Sequence, residues 1–339
     1  MTFFEMGAQG RIGQENQLMK LWKLIRWEEL GKHLKGLHKN EENPQGGQKA
    51  YDALKMLKAL VLQQWHELSD PGLEESLRVR LDFMMFTGFD LMEELPDETT
   101  ICRFRNKLVE KGLDQKLFKE VNDQLEKMGL KVQRAKGAVI DATVIESSCR
   151  ARRVIQMSED RDEEGVEKMD SLDSSMEVKE SADPDARWLK KGKRCYFGYK
   201  GFIRTDTEDG YIDEVHVTGA HEAECNKLEK LIGDQEALRL YADKAYASRG
   251  NREILKGRGI KDGIMHKAAR AHPLTYWQKL KNKIISKRRF IVEQAFGTLK
   301  RRFGFTRSSY KGIKKVEAQM RWKAICFNLL KAVNKVQFA

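Results

Sequence analysis

Residues 137–147 read GAVIDATVIES. Apolar and β-branched residues stand on both sides of Asp141, a pattern typical of a central strand that is buried on both faces. A carboxylate inside such a strand costs free energy unless it is paired or binds a metal ion. An Asp that is satisfied by hydrogen bonds at the end of a strand is the alternative. The stretch therefore predicts a sheet and makes Asp141 a candidate functional residue.

A second informative stretch, residues 287–303, reads KRRFIVEQAFGTLKRRF. At about 100° per residue, the apolar side chains in it and just before it form one helical stripe. They are Ile285, Val292, Phe296, Leu299 and Phe303. Arg289, Glu293 and Lys300 fall together on a neighbouring stripe and would point the same way. Taken alone, this pattern also fits a solvated helix face on which opposite charges pair four residues apart.

The chain between these two stretches alternates between strand and helix patterns. Residues 194–204 and 211–218 predict a β-hairpin, because a turn containing Glu-Asp-Gly separates them. The elements predicted after the hairpin are a helix at 221–232, a strand at 237–242, a helix at 248–256, a strand at 259–266 and a helix at 274–303. A mixed sheet with helices on its faces could bring the first and fourth strands side by side, with the last helix across their ends. In that arrangement Asp141, Asp243 and Glu293 would meet.

The first 130 residues predict helices only. Ser69, with Pro71 in the first turn, and Asp97 are helix N-cap signals. The helix after Asp97 carries Arg103 and Arg105, which fits a helix that reads nucleic acid and equally fits an ordinary surface helix. The sequence thus predicts a helical domain at residues 1–130, a mixed α/β domain at 131–310 and a basic, amphipathic C-terminal helix at 311–339.

Positive charge is concentrated toward the C-terminal end. The 339 residues carry a formal net charge of +12, with a pI near 9.3. Residues 251–339 hold 23 Lys and Arg against four acids. A solvated surface can be rich in Lys without any partner, but an excess of this size, interleaved with aromatic residues, favours a polyanion partner such as nucleic acid.

Several classes of protein are disfavoured by the composition. The five cysteines are scattered without a C-x-x-C spacing or a His at zinc-finger intervals, which argues against a zinc site and against a disulfide framework. No run approaches 18 consecutive apolar residues, so no transmembrane helix is predicted. We therefore expect a protein that lies inside the cell and off the membrane.

An acidic run interrupts the α/β pattern. Residues 159–185 hold twelve acids against three bases and few apolar residues. Such a composition does not favour the burial of enough apolar surface to order a segment. The sequence thus predicts a flexible insertion at about residues 150–190, which either screens the basic site when DNA is absent or is a plain solvated linker.

Three converging carboxylates would suit phosphoryl transfer at DNA phosphodiesters. Oxygen ligands are those that Mg²⁺ and Mn²⁺ prefer, and two such ions about 3.5–4 Å apart can activate a water or a 3′-hydroxyl and stabilise the leaving oxygen. No side chain then needs to act as the nucleophile. Basic residues beside the ions would hold the phosphate backbone.

Three blocks of sequence carry a resemblance to a known family. They are VIDATVIES around Asp141, YADKAYAS around Asp243 and RFIVEQAFGTLKRRFG around Glu293. In this order they resemble the corresponding blocks of bacterial insertion-sequence transposases of the DDE type, and those of the insertion-sequence-five family most closely. The helical stretch PDETTICRFRNKL also resembles the domain that these enzymes carry before their catalytic core.

The resemblance assigns roles to particular residues. In that family an Arg, a Glu four residues later and a Lys seven residues after the Glu form a signature, which Arg289, Glu293 and Lys300 match. A Tyr often stands three residues before the Arg, and here Ser286 takes its place. By this resemblance the catalytic and metal-binding residues are Asp141, Asp243 and Glu293. The candidates for DNA contact are Arg289, Lys300, Lys244, Arg301, Arg103 and Arg105.

The resemblance also implies a fold and an activity. We expect an RNase H-like catalytic domain that uses Mg²⁺ or Mn²⁺, with two ions, in a cytoplasmic, nucleoid-associated bacterial enzyme. The helical domain would bind the terminal inverted repeats, and the core would cut donor DNA and join its 3′ ends to a target, with two copies pairing the two ends. An RNase H-fold nuclease that only degrades DNA and a transposase-derived DNA-binding protein without activity are the alternatives.

Overall fold

The computed structural model describes residues 7, 10–13, 15–37, 50–151, 153–156, 176–179, 181–233, 237–270 and 272–336. Helices come first along the chain, and a mixed sheet with further helices follows. None of the helices in these ranges is both long and apolar enough to cross a membrane.

Helices alone make up the regular structure in the described part of residues 1–130, as predicted. They are α1 (Gln17–Leu24), α2 (Trp27–Lys32), α3 (Ala53–Trp65), α4 (Asp70–Val79), α5 (Leu81–Thr87), α6 (Glu98–Glu110) and α7 (Leu113–Lys127). Both predicted N-caps are confirmed: the Ser69 side chain accepts a hydrogen bond from the Gly72 amide, and Asp97 accepts one from the Thr100 amide. These bonds satisfy amides that the first turn of a helix leaves free.

A mixed sheet forms the centre of the second part of the chain. Its strands are β1 (Ala138–Glu146), β4 (Arg187–Lys191), β5 (Arg194–Asp206), β6 (Ile212–Gly219), β7 (Arg239–Ala242) and β8 (Lys261–Ile264). The neighbours follow the order β6, β5, β1, β7, β8, with β4 pairing beside β6 on the outer edge of β5. β5 runs antiparallel to β1, whereas β7 and β8 run parallel to it. A separate antiparallel pair joins β2 (Arg153–Gln156) to β3 (Met176–Lys179).

Helices cover both faces of this sheet. They are α8 (Leu228–Ile232), α9 (Arg249–Gly257), α10 (Tyr276–Arg301) and α11 (Ile313–Lys335). Alternate residues of β1 serve two apolar cores, because successive side chains of a strand point to opposite faces. Ile140 belongs to a core with α8 and α9, whereas Val139 belongs to a larger core with α10, α11 and the N-terminal helices. This arrangement confirms the α/β fold class with an RNase H-like mixed sheet and a helical N-terminal part.

The C-terminal helix differs from its prediction. Residues 311–339 predict an amphipathic basic helix, but α11 is buried on nearly all sides between the sheet and the N-terminal helices. Its polar side chains are buried with partners: Arg321 forms ion pairs with Asp114 and Glu317, and Nζ of Lys323 donates to the Gln64 carbonyl at 3.1 Å. These partners come from distant elements, so sequence periodicity could not show them.

Part of the predicted acidic insertion is ordered and buried. Asp183 is 1% exposed and accepts hydrogen bonds from the side chains of Ser147 and Tyr199. Asp185 accepts a bond of 2.9 Å from the Ile313 amide and so stabilises the start of α11. The rest of the run at 159–185, apart from the strand at 176–179, lies outside the described residues.

Candidate active site

The pairing of two parallel strands brings two of the predicted acids together. In the ladder between β1 and β7, Ala138 lies opposite Leu240 and Val139 lies opposite Tyr241. Asp141 and Asp243 are separated in sequence by the same number of residues as each of these pairs. They therefore lie opposite each other on the two strands, two positions beyond the last pair. Because residues two apart share a face, both carboxylates lie on the face that α10 covers.

Arg289 of α10 lies between the two carboxylates. Its Nη2 is 2.8 Å from Oδ2 of Asp141, and its Nη1 is 3.7 Å from Oδ1 of Asp243. The side chains of Arg289, Asp141 and Asp243 are 12%, 16% and 30% exposed, so Asp243 is the most accessible of the three. Nε of Arg289 is buried without a hydrogen-bond partner among the described residues. The guanidinium thus offsets one of the two negative charges without satisfying all of its own donors.

Backbone amides hold the two aspartates in place. The Ala142 amide donates to Oδ1 of Asp141 at 2.9 Å, and the Lys244 amide donates to Oδ1 of Asp243 at 2.6 Å. Asp243 also caps the short 3₁₀ turn Lys244–Tyr246 that follows β7. Both carboxylates are therefore fixed by local backbone, which favours a preorganised site.

The electrostatic balance of the pair favours a cation. Burial raises the pKa of Asp141 above its usual value, and the charge of Asp243 raises it further, although Arg289 acts in the opposite direction. Two carboxylates this close repel each other unless a positive group lies between them. In this structure Arg289 supplies that positive charge.

Glu293, the third predicted acid, does not form a metal-binding group of three with this pair in the described part of the chain. It stands one helical turn after Arg289 on α10, and its side chain is exposed. Within the described residues, no three His, Cys, Asp or Glu side chains form a group that could hold a metal ion. The structure thus brings Asp141 and Asp243 together and leaves Glu293 outside. The donors that do meet are carboxylate oxygens, which fit a hard divalent cation rather than zinc or copper.

The predicted DNA-contacting residues fall into different environments. The prediction that Arg105 contacts DNA has to be corrected. Arg105 is 6% exposed and binds Asp70 through Nη1 and Nη2, and its guanidinium lies 4.3 Å from the centre of the Tyr310 ring. In this structure its charge is therefore used in an ion pair within the helical part. Its spacing from Arg103 could not indicate this, because its partner Asp70 belongs to another helix. Arg289 contacts carboxylates in this structure.

The other predicted cations remain accessible to different degrees. Lys244, Arg301 and Arg103 are exposed. Lys300 is half-buried, and burial lowers its pKa, as does the charge of Lys191. A cation that is partly desolvated beside another cation favours an anionic partner.

Two residues near the site, Glu224 and Lys200, were not among the predicted site residues. Glu224 follows β6 in a 3₁₀ turn, and Lys200 lies in β5 with Nζ 3.7 Å from Oε1 of Glu224. A lysine in the run YFGYKGFI could have been a signal, because a strand buried on both faces holds a lysine only with a partner. The sequence predicts one continuous helix over 221–232, and so it did not indicate the 3₁₀ turn that carries Glu224.

Two families of known proteins match this chain. Residues 134–329 match the family described as Transposase DDE domain, and residues 8–107 match the Transposase domain (DUF772) family. The first match spans more than half of the chain and includes Asp141, Asp243 and Glu293.

One curated protein and one solved structure are also similar to this chain. The chain is 43% identical over 236 residues to the transposase for insertion sequence element IS1106 of Neisseria meningitidis serogroup B, which covers 69% of this chain and 78% of that protein. Among solved structures, the piggyBac transposase in a synaptic complex with hairpin DNA matches with a TM-score of 0.44 at 11% identity, over 94% of this chain and 74% of that chain. The narrower resemblance to the insertion-sequence-five family stays a prediction. The chain belongs to the DDE transposase family, whose chemistry in general depends on divalent metal ions.

Proposed function

We propose that this DNA transposase binds the terminal inverted repeats of its own element, cleaves donor DNA and joins the freed 3′ ends to target DNA. The observation that supports the chemistry most is the level placement of Asp141 and Asp243 on adjacent parallel strands, with Arg289 between them. The relative from Neisseria is named as the transposase of an insertion sequence element, which supports a mobile element as the substrate here too.

The proposed cofactor is Mg²⁺ or Mn²⁺, with two ions per site. Asp141 and Asp243 would hold the ions, and Glu293 would have to approach them from its exposed position on α10. When bound, the ions supply an activated water or 3′-hydroxyl and stabilise the leaving oxygen of the phosphodiester. The backbone amides of Ala142 and Lys244 hold the two aspartates in place, so the position of the carboxylates does not depend on the ions.

Arg289 has two successive roles in this proposal. Without ions it forms ion pairs with both aspartates and offsets part of their charge, and it would have to withdraw from them to leave room for the ions. Its guanidinium is then free, at the edge of the site, to bind a DNA phosphate in the two-pronged manner that suits arginine. Lys244 and Arg301, which are exposed, would hold the DNA backbone on either side.

The two DNA ends require two copies of the enzyme, so we propose a homodimer that forms on DNA. The 23 Lys and Arg of residues 251–339 against four acids support binding to a long polyanion. Arg103, exposed on α6, is the residue of the helical part that we assign to the backbone of the inverted repeat. The exposed position of Arg103 supports a contact that Arg105 cannot make.

The Asp141→Asn variant tests the proposed chemistry. It removes a charge while keeping the shape of the side chain, so binding to DNA that carries the element's ends should persist while Mg²⁺-dependent strand cleavage is lost. Asp123→Asn, on α7, is the matched control and should cleave like the wild type. Cleavage by Asp141→Asn at the rate of the control would refute the assignment, and cleavage by the wild type without any joining of 3′ ends would favour a nuclease.

A further inference from the structure

The hairpin between β4 and β5 extends beyond the rest of the sheet. The last pair of β5 with β1 is Gly198 with Glu146, and the pairs of β5 with β6 begin at Tyr199. Among the described strands, only β4 pairs with residues 194–196. Most residues of this two-stranded segment are exposed. We call the segment, residues 187–197, the ribbon.

A tight turn closes the ribbon. Lys191 lies opposite Arg194, so only Gly192 and Lys193 connect the two strands. The two-residue turns that suit the twist of a hairpin require a positive φ, and Gly192 has a φ of +62°. The register of the two strands is therefore fixed at the tip, and the ribbon has a defined shape.

The base of the ribbon is anchored on the body of the protein. Phe197 is partly buried against the larger apolar core, and the centre of its ring lies 5.4 Å from that of Trp188 on the opposite strand. Nη1 of Arg187 donates to the Ala186 carbonyl at 2.9 Å. These contacts support the ribbon from below, so the cations nearer the turn are not needed for them.

Four exposed cations and no acid lie at the tip of the ribbon. They are Lys190, Lys191, Lys193 and Arg194. Lys191 and Arg194 stand directly opposite each other, an arrangement in which like charges destabilise a pair of strands. The stability of the ribbon therefore does not explain this cluster, whereas an anionic partner would offset the repulsion.

The cations lie on both faces of the ribbon. Residues opposite each other share a face and successive residues alternate, so Lys191 and Arg194 lie on one face and Lys190 on the other, with Lys193 in the turn. A flat anionic surface, such as a membrane or an acidic protein, would meet only one face. A DNA groove carries phosphates along both of its sides, and the major groove, about 12 Å wide, admits a two-stranded ribbon. The distribution of charge therefore fits the major groove.

The ribbon leaves the sheet at the end where the carboxylate pair lies. Asp243 directly follows β7, and β1 runs parallel to β7 and ends at Glu146. Because β5 is antiparallel to β1, its first residues lie beyond the end of β1. The path from Asp141 to Glu146, and then from Gly198 to Arg194, spans about 30 Å at about 3.3 Å per residue. This is less than one turn of DNA, which is about 34–36 Å.

We propose that the ribbon enters the major groove of the element's DNA within one helical turn of the bond that is cut, where Lys190, Lys191, Lys193 and Arg194 contact phosphates on both sides of the groove. The inference rests on the proposed function, because it takes duplex DNA as the partner and the carboxylate pair as the place of cutting. It adds a DNA-binding element to the α/β part of the chain, outside the residues that the family resemblance assigns.

The salt dependence of DNA binding by the full chain tests the phosphate contacts. A variant that combines Lys190→Gln, Lys191→Gln and Lys193→Gln should lower the slope of log affinity against log salt concentration by about two to three, because each phosphate contact contributes about 0.9. The matched control replaces three exposed lysines of α7 by Gln and so removes the same charge. They are Lys116, Lys119 and Lys127. An equal change of slope in both variants, or no change in the ribbon variant, would overturn the proposal.

The exposed thiol of Cys195, on the ribbon, allows a second test that needs no change of charge. An iron–EDTA group attached to it generates hydroxyl radicals that cut nearby DNA, and Mg²⁺ is left out so that the enzyme itself does not cut. We expect cuts on both strands with the stagger of a source in the major groove, within about ten base pairs of the bond that the wild type cleaves in Mg²⁺. Cys195→Ser, treated in the same way, is the control.

The two measurements separate the possible failures. Labelled protein that binds DNA but cuts it from the minor groove, at a greater distance or not at all would overturn the role of the ribbon. The proposed function would still stand in that case, provided that the wild type binds and cleaves the element's ends. A wild type that shows no salt-dependent binding to this DNA would overturn the proposed function itself.

Discussion

Arg289 donates a hydrogen bond of 2.8 Å from Nη2 to Oδ2 of Asp141, across 148 residues of sequence. The contact joins α10 to the central strand of the sheet and puts a guanidinium where the proposed chemistry needs divalent ions. The same arginine reaches Asp243 through Nη1. One guanidinium therefore offsets part of the charge of the two carboxylates when no ion is bound, and the binding of divalent ions would replace it.

Replacing Arg289 by methionine should destabilise the protein without ions and make it more responsive to them. The change leaves Asp141 and Asp243 side by side with no cation, and breaking a buried ion pair costs about 3–5 kcal/mol, or about 2–4 kcal/mol at this partly solvated site. Mg²⁺ would restore the missing positive charge. Urea unfolding with and without Mg²⁺ measures both effects. The account is contradicted if Mg²⁺ stabilises the wild type as much as it stabilises Arg289→Met.

Variants of Arg103 and Arg105, two residues apart on α6, test whether the first contacts DNA and the second stabilises the fold. Arg105→Met should lower the free energy of unfolding by about 2–3 kcal/mol, because Asp70 loses its buried partner. Arg103→Ala should leave stability unchanged and lower by about one the slope of log affinity for DNA against log salt concentration.

Denaturant unfolding and salt-dependent DNA binding, measured on both variants, distinguish the two roles. A folded Arg105→Met protein should bind DNA with the salt dependence of the wild type. If its slope falls as much as that of Arg103→Ala, then Arg105 contacts DNA and its pairing with Asp70 is not permanent.

His66 should make stability depend on pH. Burial first, and then the charges of Arg80 and Arg302, lower its pKa from 6.5 to about 4. Because the folded pKa is depressed, the stability that this neutral histidine contributes is present above about pH 6.5 and is lost as pH falls toward 4. His66→Gln removes the titrating ring and should flatten the dependence.

The measurement for His66 is the free energy of unfolding in urea at pH 7 and at pH 5. The wild type should lose more stability than His66→Gln over this interval. Equal losses would show that the ring is protonated in the folded state or that other groups dominate. The position of the ring, with Nε2 buried and without a partner among the described residues and 5.1 Å from the centre of Phe83, argues for a neutral ring.

Much of the scaffold could be predicted from local sequence. The caps at Ser69 and Asp97 are short-range signals, and the apolar run around Asp141 identifies the central strand. The hairpin between β5 and β6 was also predictable, because turn residues separate two runs with strand composition. These features depend on neighbours in sequence, which is why the sequence shows them.

The features that the sequence could not show depend on contacts between distant elements. Arg105 pairs with Asp70 on another helix, and Lys323 is buried because α11 lies between the sheet and the N-terminal helices. Glu224 escaped notice because a 3₁₀ turn and a short helix replace the continuous helix predicted there. The pairing of Asp141 with Asp243 was predicted from the order of elements, but the arginine between them was not.

The central claim is that Asp141 and Asp243 hold divalent ions together with Glu293. It can be tested by binding Fe²⁺ to the full chain and generating hydroxyl radicals with ascorbate and peroxide, since radicals cut the polypeptide close to the bound metal. Cuts near residues 141, 243 and 293 that excess Mg²⁺ suppresses are the expected result. Cuts that appear elsewhere, or that Mg²⁺ does not suppress, would contradict a metal site at these carboxylates.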